Sequence, residues 1–146
     1  MGLSEQDIKK LLLKHDSEVK LYPVGFNVEQ AYAGVAEVKK ELETLLKIPI
    51  EEVSRESYQD TCYHALLRLP ERLGSSQGSS EIRFCNFGNM VSIDYSKNLQ
   101  SDKLQKITTL LERKGYHYIP QKFLNMKYDG EHDSIDTWWQ RFFDYL

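Results

Sequence analysis

The sequence lacks any stretch of about 18 consecutive apolar residues, so no segment reads as a membrane-spanning helix. Its opening, MGLSEQDIKK, has no apolar core and does not read as a secretory signal. Gly2 is followed by Gln at position 6, where a myristoylation pattern needs Ser or Thr. Only two cysteines are present, Cys62 and Cys85, too few for a disulfide framework. The expectation is a cytoplasmic protein with reduced thiols. Basic blocks are also missing. The net charge is −3 and both signs are spread along the chain, so a phosphate backbone has no electrostatic footprint to meet and nucleic acid is not expected as a partner. There is no phosphate-binding glycine loop, no GxSxG, no HExxH and no dinucleotide fingerprint. Each absence removes a class of enzyme.

What is present is a set of amphipathic segments. At 146 residues the chain is expected to form one domain. Ser4 followed by Asp7 is a capping pattern, and Ile8, Leu11 and Leu12 make a helical stripe that ends near His15–Asp16. EVKLY, residues 18–22, reads as a short strand. Asn27 caps a longer helix. Its apolar stripe runs through Val28, Ala31, Tyr32, Val35, Val38, Leu42, Leu45 and Leu46 to a stop at Pro49, with Lys39 at the edge. Residues 57–69 fit two periods. Tyr58, Cys62, Ala65, Leu66 and Leu69 make a helical stripe between Ser57 and Pro70, and the same stretch alternates well enough for a strand; helix is the preferred reading. GSSQGSS, residues 74–80, reads as a flexible loop.

In EIRFCNFGNMVSIDY, residues 81–95, Gly88-Asn89 signals a two-residue hairpin turn. That turn predicts Phe84 opposite Ile93, Arg83 opposite Asp94, Cys85 opposite Ser92 and Ile82 opposite Tyr95. Ile82, Phe84, Val91, Ile93 and Tyr95 then share an apolar face. A helix from a cap at Ser101 to about Lys114 buries Leu104, Ile107 and Leu111, with Gly115 beyond its end. Residues 116–119 read as a strand, 122–128 as a further extended piece, and 128–136 as a loop. The fold class expected is α+β: a small antiparallel sheet made of the 81–95 hairpin and residues 116–119, amphipathic helices packed on one side of it, and a helical N-terminal half.

The chain closes on DTWWQRFFDYL, where Trp138, Trp139, Phe142, Phe143, Tyr145 and Leu146 span an arc of about 160° on a helical wheel. Asp133 or Ser134 is the expected cap. The segment either completes the core or offers a docking surface, because Trp, Tyr and Arg are the residue types that dominate binding hot spots. Asp129, Glu131 and Asp133 have the opening spacing of a calcium loop, but Ser134 and Gln140 occupy the positions that need Gly and Glu. They read as a solvated acidic loop suited to a basic protein partner. Asp60, Cys62, His64 and Cys85 lack metal-site spacing, so no metal or cofactor is expected.

The function expected from these readings is a non-enzymatic protein–protein interaction module, such as a small inhibitor or a toxin-immunity-type protein that neutralises a partner. Its partner-binding residues are Trp138, Trp139, Arg141, Tyr145, Asp129, Glu131 and Asp133. Two alternatives stand beside it. One is a small hydrolase or transferase pairing His15, His64, His117 or His132 with a nearby Cys or carboxylate, which needs those groups to converge in a cleft. The other is a regulatory domain that self-associates as a homo-oligomer through the aromatic helix.

Overall fold

The computed structural model describes residues 3–16, 23, 25–54, 61–70 and 79–144. Helix α1 (Glu5–His15) begins where Ser4 Oγ accepts the Asp7 N–H, and α2 (Val28–Leu46) where Asn27 Oδ1 accepts the Gln30 N–H. Both caps satisfy a donor that the first helical turn leaves orphaned. Lys47, in left-handed backbone, ends α2 ahead of Pro49. The buried stripe of α2 is Val35, Val38 and Leu42, while Leu45, expected in it, is 41% exposed. The strands are β1 (Glu51–Glu52), β2 (Tyr63–Leu69), β3 (Ser80–Cys85), β4 (Met90–Asp94) and β5 (His117–Tyr118). They form one sheet in the order β1-β2-β3-β4-β5. Helices α3 (Ser101–Arg113), α4 (Gln121–Leu124) and α5 (Trp138–Phe143) complete the α+β fold. Among the described residues, no helix is long and apolar enough to cross a membrane.

Several expectations change here. Residues 63–69 are a strand and not a helix, with β2 lying between β1 and β3. A strand in the middle of a sheet covered on both faces is apolar nearly throughout, so its apolar residues also fall at helical spacings. The sheet is mixed: β4 and β5 run parallel, with α3 as the crossover between them. Residues 121–124 form α4 instead of an extended piece. Ser101 is the first residue of α3, whose cap Gln100 makes no side-chain bond. Ser80 already belongs to β3. The expected strand at 18–22, residues 57–60 and the loop at 74–78 lie outside the described residues.

The hairpin turn forms as the sequence predicts. Gly88 and Asn89 are both left-handed, and the Met90 N–H bonds the Phe87 carbonyl at 3.2 Å. The ladder behind it is shifted by two residues: Phe84 faces Val91, Arg83 faces Ser92 and Ile82 faces Ile93. The Asn86 N–H turns instead to the Cys62 carbonyl at 2.8 Å, drawing the end of β3 toward β2. A slip of two keeps every side chain on its face, where a slip of one would have inverted the sheet. Tyr95 leaves the ladder altogether, in left-handed backbone with 62% of its surface exposed.

Helices cover both faces of the sheet and not one. On the first face Val35, Val38 and Leu42 of α2 and Ile107, Leu110 and Leu111 of α3 pack on Ala65, Leu67, Leu69, Ile82, Phe84, Val91 and Ile93. On the second, Ile8 and Leu12 of α1, Leu124 of α4, and Trp138, Phe142 and Phe143 of α5 pack on Cys85, Phe87 and Met90. Leu67→Ala is expected to lower stability by about 2–5 kcal/mol, because it opens a cavity in the first layer. Leu45→Ala should cost well under half of that. Urea unfolding of the two variants checks this layering, and equal losses would contradict it.

Candidate functional site

Helix α5 is only six residues long, so its position depends on tertiary bonds. Its cap is Thr137, whose Oγ1 accepts the Gln140 N–H at 3.2 Å, and not Asp133 or Ser134. The residues before it are held out of the helix by a Lys127–Thr137 bridge and by the Tyr128 N–H on the Asp136 carbonyl. At the other end Arg83 Nη1 donates to the Phe143 carbonyl at 3.0 Å, and the Cys62 N–H to the Asp144 carbonyl at 3.2 Å. These bonds satisfy terminal acceptors that the helix cannot. Trp138 stacks on Phe142 and meets Tyr128 edge to face.

Arg141 is the decisive correction. The wheel places it on the outer side of the last helix, yet it is 1% exposed. Its Nε donates to Asp16 Oδ1 at 2.7 Å, and its guanidinium lies over the rings of Phe87 and Phe142. Asp16, just past α1, also accepts the Tyr128 hydroxyl at 2.8 Å and the Glu131 N–H at 2.9 Å. The His132 N–H in turn reaches the Tyr128 hydroxyl oxygen at 2.8 Å. A Cβ on Gly130 would overlap Asp16 Oδ2 and the Tyr128 ring, so the loop passes this close only with glycine there. Burial works against the Asp16 charge, but the Glu131 N–H, Arg141 and Tyr128 outweigh it and hold the carboxyl below its ordinary value.

The other expected binding residues separate. Trp138 is fully buried, so neither it nor Arg141 is within reach of a partner in this arrangement. Tyr145 lies outside the described residues. Asp129 bonds Lys9 Nζ at 2.7 Å, and that bond keeps its carboxyl below the ordinary range. Glu131 and Asp133 are exposed. Among the described aromatic candidates, Trp139 alone borders an open space.

That space is a cleft of about 540 Å³ lined by Arg83, Asp94, Tyr95, Ser96, Lys97, Gln121, Asn125 and Trp139. Arg83 is its floor. The guanidinium lies between the rings of Tyr63, at 4.7 Å, and Trp139, at 5.2 Å. Its Nε bonds Asp94 Oδ2 at 2.5 Å, a diagonal neighbour after the two-residue shift. Gln121 Nε2 donates to Asn125 Oδ1 at 2.9 Å, while Gln121 Oε1 is buried with no donor in reach. The sequence carries no local sign of Arg83, Tyr95, Lys97, Gln121 or Asn125 as one set. Only the pairing of β3 with β4 and the placement of α4 bring them together.

The groups for enzymatic chemistry are arranged otherwise. His64 and Cys85 border a second cleft of about 460 Å³, and His64 Nδ1 lies 3.2 Å from Asn86 Oδ1. Burial raises both thiols, Cys62 to about 11 and Cys85 further still, so neither is a thiolate at neutral pH. His15 packs against Gly88, His117 is exposed on β5 and His132 sits 3.8 Å from Asp16. Among the described residues no group of three or more His, Cys, Asp or Glu is placed to hold a metal. The chain matches no family model, no curated protein and no solved structure.

Two outcomes follow for the Asp16 network. Since the folded pKa of Asp16 lies below its ordinary 3.8, the stability it contributes is full above that value and is lost as pH falls through the folded pKa. The stability gap between wild type and Asp16→Asn should therefore be widest near neutrality and close in acid. Urea midpoints measured against pH test this, and a gap independent of pH would contradict it. Gly130→Ala should destabilise by about 1–3 kcal/mol through overpacking, and a neutral result in thermal unfolding would refute the close approach.

Proposed function

We propose that the protein is a non-enzymatic interaction module and that it engages a protein partner through the cleft between β4, α4 and α5. The observation that carries this reading is the pair of aromatic walls. Tyr95 holds its ring out to solvent from left-handed backbone, and Trp139 stands on the Arg83 guanidinium. A tyrosine in that backbone region is strained, and the exposure of its ring returns none of the cost through burial. Aromatic and arginine side chains around a partly enclosed space are also the residues that anchor interfaces. An inhibitor or an immunity-type protein would use such a surface by occupying a partner without turning anything over. The enzymatic alternative gains little from the second cleft, because burial holds its thiol protonated.

Tyr95→Asn tests this reading, since asparagine accepts the left-handed backbone and removes the ring. A partner retained from native lysate by the wild-type chain should be lost, or weakened about tenfold or more, with Tyr95→Asn. It should be retained by Leu45→Ala, which alters a distant exposed residue on α2. Equal capture by all three chains would refute the cleft as the docking site. Capture of the chain itself, with mass rising with concentration, would favour self-association.

A further inference from the structure

We infer that the cleft is built for a carboxylate carried beside a large apolar side chain, as on a free C-terminus of the partner protein. The inference rests on the interaction reading above and names the chemistry of that same site. Three cleft residues carry charge: Arg83, Lys97 and Asp94. Asp94 is already bonded to Arg83, which leaves the exposed Lys97 as the unneutralised charge. A single net positive charge suits a monoanion. A dianion such as phosphate would meet Asp94 without a second free cation to offset it.

Arg83 strengthens the preference. Its Nε and Nη1 are committed to Asp94 and to the Phe143 carbonyl, and the remaining N–H groups of a guanidinium are still donors. The two aromatic rings confine the guanidinium, so little freedom is lost when it binds.

The neutral groups specify the rest of the occupant. Gln121 donates to Asn125, and this leaves Gln121 Oε1 as an acceptor without a donor and the Asn125 amide N–H groups as donors. An acceptor and a donor on neighbouring carboxamides are complementary to the N–H and C=O of one peptide unit. Gln121 Oε1 is buried, so a peptide N–H reaches it as the Gln121 side chain turns toward the cleft, which relieves an otherwise unsatisfied polar atom. Tyr95 and Trp139 then hold the apolar side chain attached to that unit. The sign of this partner is opposite to the basic one expected from Asp129, Glu131 and Asp133. Lys9 already neutralises the first of those three.

A small probe with all three features is N-acetyl-phenylalanine, which carries a carboxylate, an amide N–H and a ring. Titrated into the full chain and followed by amide and side-chain NMR shifts, it should move Lys97, the Gln121 and Asn125 carboxamides and the Trp139 indole together. It should bind about fivefold more tightly than N-acetyl-phenylalaninamide, the size of effect one partly exposed ion pair gives. Lys97→Gln, an exposed substitution that leaves folding intact, should clearly reduce that difference, and an unchanged difference would overturn the role of Lys97. Acetate and inorganic phosphate alone should bind more weakly than the probe. Equal binding of acid and amide within the cleft would overturn the carboxylate assignment and leave the interaction module standing. Phosphate binding as well as the probe would also overturn it. Shifts confined to other surfaces, or none, would overturn the ligand chemistry, while the Tyr95→Asn capture separately decides the module.

Discussion

The bond between Arg141 and Asp16 joins residues 125 positions apart and closes the second face of the sheet. Two charges buried this deeply cost more in lost hydration than an exposed pair returns, unless their remaining hydrogen-bonding capacity is met. Here it is met closely on the carboxylate side: Asp16 receives Arg141, the Tyr128 hydroxyl and the Glu131 N–H. Aromatic rings enclose the guanidinium. The network is demanding and hence specific. It brings the end of α1, the 128–132 loop and α5 to one point, and Gly130 leaves the room they need.

The candidate site follows from that constraint. A six-residue helix has little stability of its own, and α5 is held from within by Arg141 and from its end by Arg83 and the Cys62 N–H. With Trp138 and Arg141 turned inward, Trp139 is directed along the sheet onto Arg83. Arg83 thereby takes three duties: it pairs Asp94, caps the carbonyl of Phe143 and floors the cleft. Burial disfavours its charge, and Asp94, with Tyr63 and Glu81 farther off, more than restores it. The same two cations that fix α5 inside and under the sheet surface therefore shape what the cleft presents to a partner.

Local patterns made much of the fold legible. Ser4 and Asn27 announce α1 and α2 because a capping side chain and the N–H it serves lie within four residues. Gly88-Asn89 announces the turn because both positions need left-handed backbone. The register behind that turn was not legible, since the two-residue shift goes with an Asn86 N–H bond to the Cys62 carbonyl, just ahead of β2 and distant in sequence. Residues 63–69 misled for a related reason: the stretch fits a helical and a strand period alike, and pairing with β1 and β3 decides between them. The parallel pairing of β5 and the second helical layer likewise depend on contacts distant in sequence. At the site, Trp139 could be singled out from composition alone. Arg141 read as a surface residue because its partner lies at the other end of the chain, and Lys97 and Gln121 carried no signal until the strands placed them beside Trp139.

Removing one member of a buried pair strands the other, so the two single losses should sum to more than the loss of both together. A double-mutant cycle on Asp16→Asn and Arg141→Met, read by urea unfolding at neutral pH, tests most directly whether this pair holds the second layer in place. The account predicts a coupling of about 2–3 kcal/mol, with the double variant less destabilised than the two singles would sum to. Additivity within about 0.5 kcal/mol would mean that the pair is incidental and that α5 is held by its aromatic packing alone.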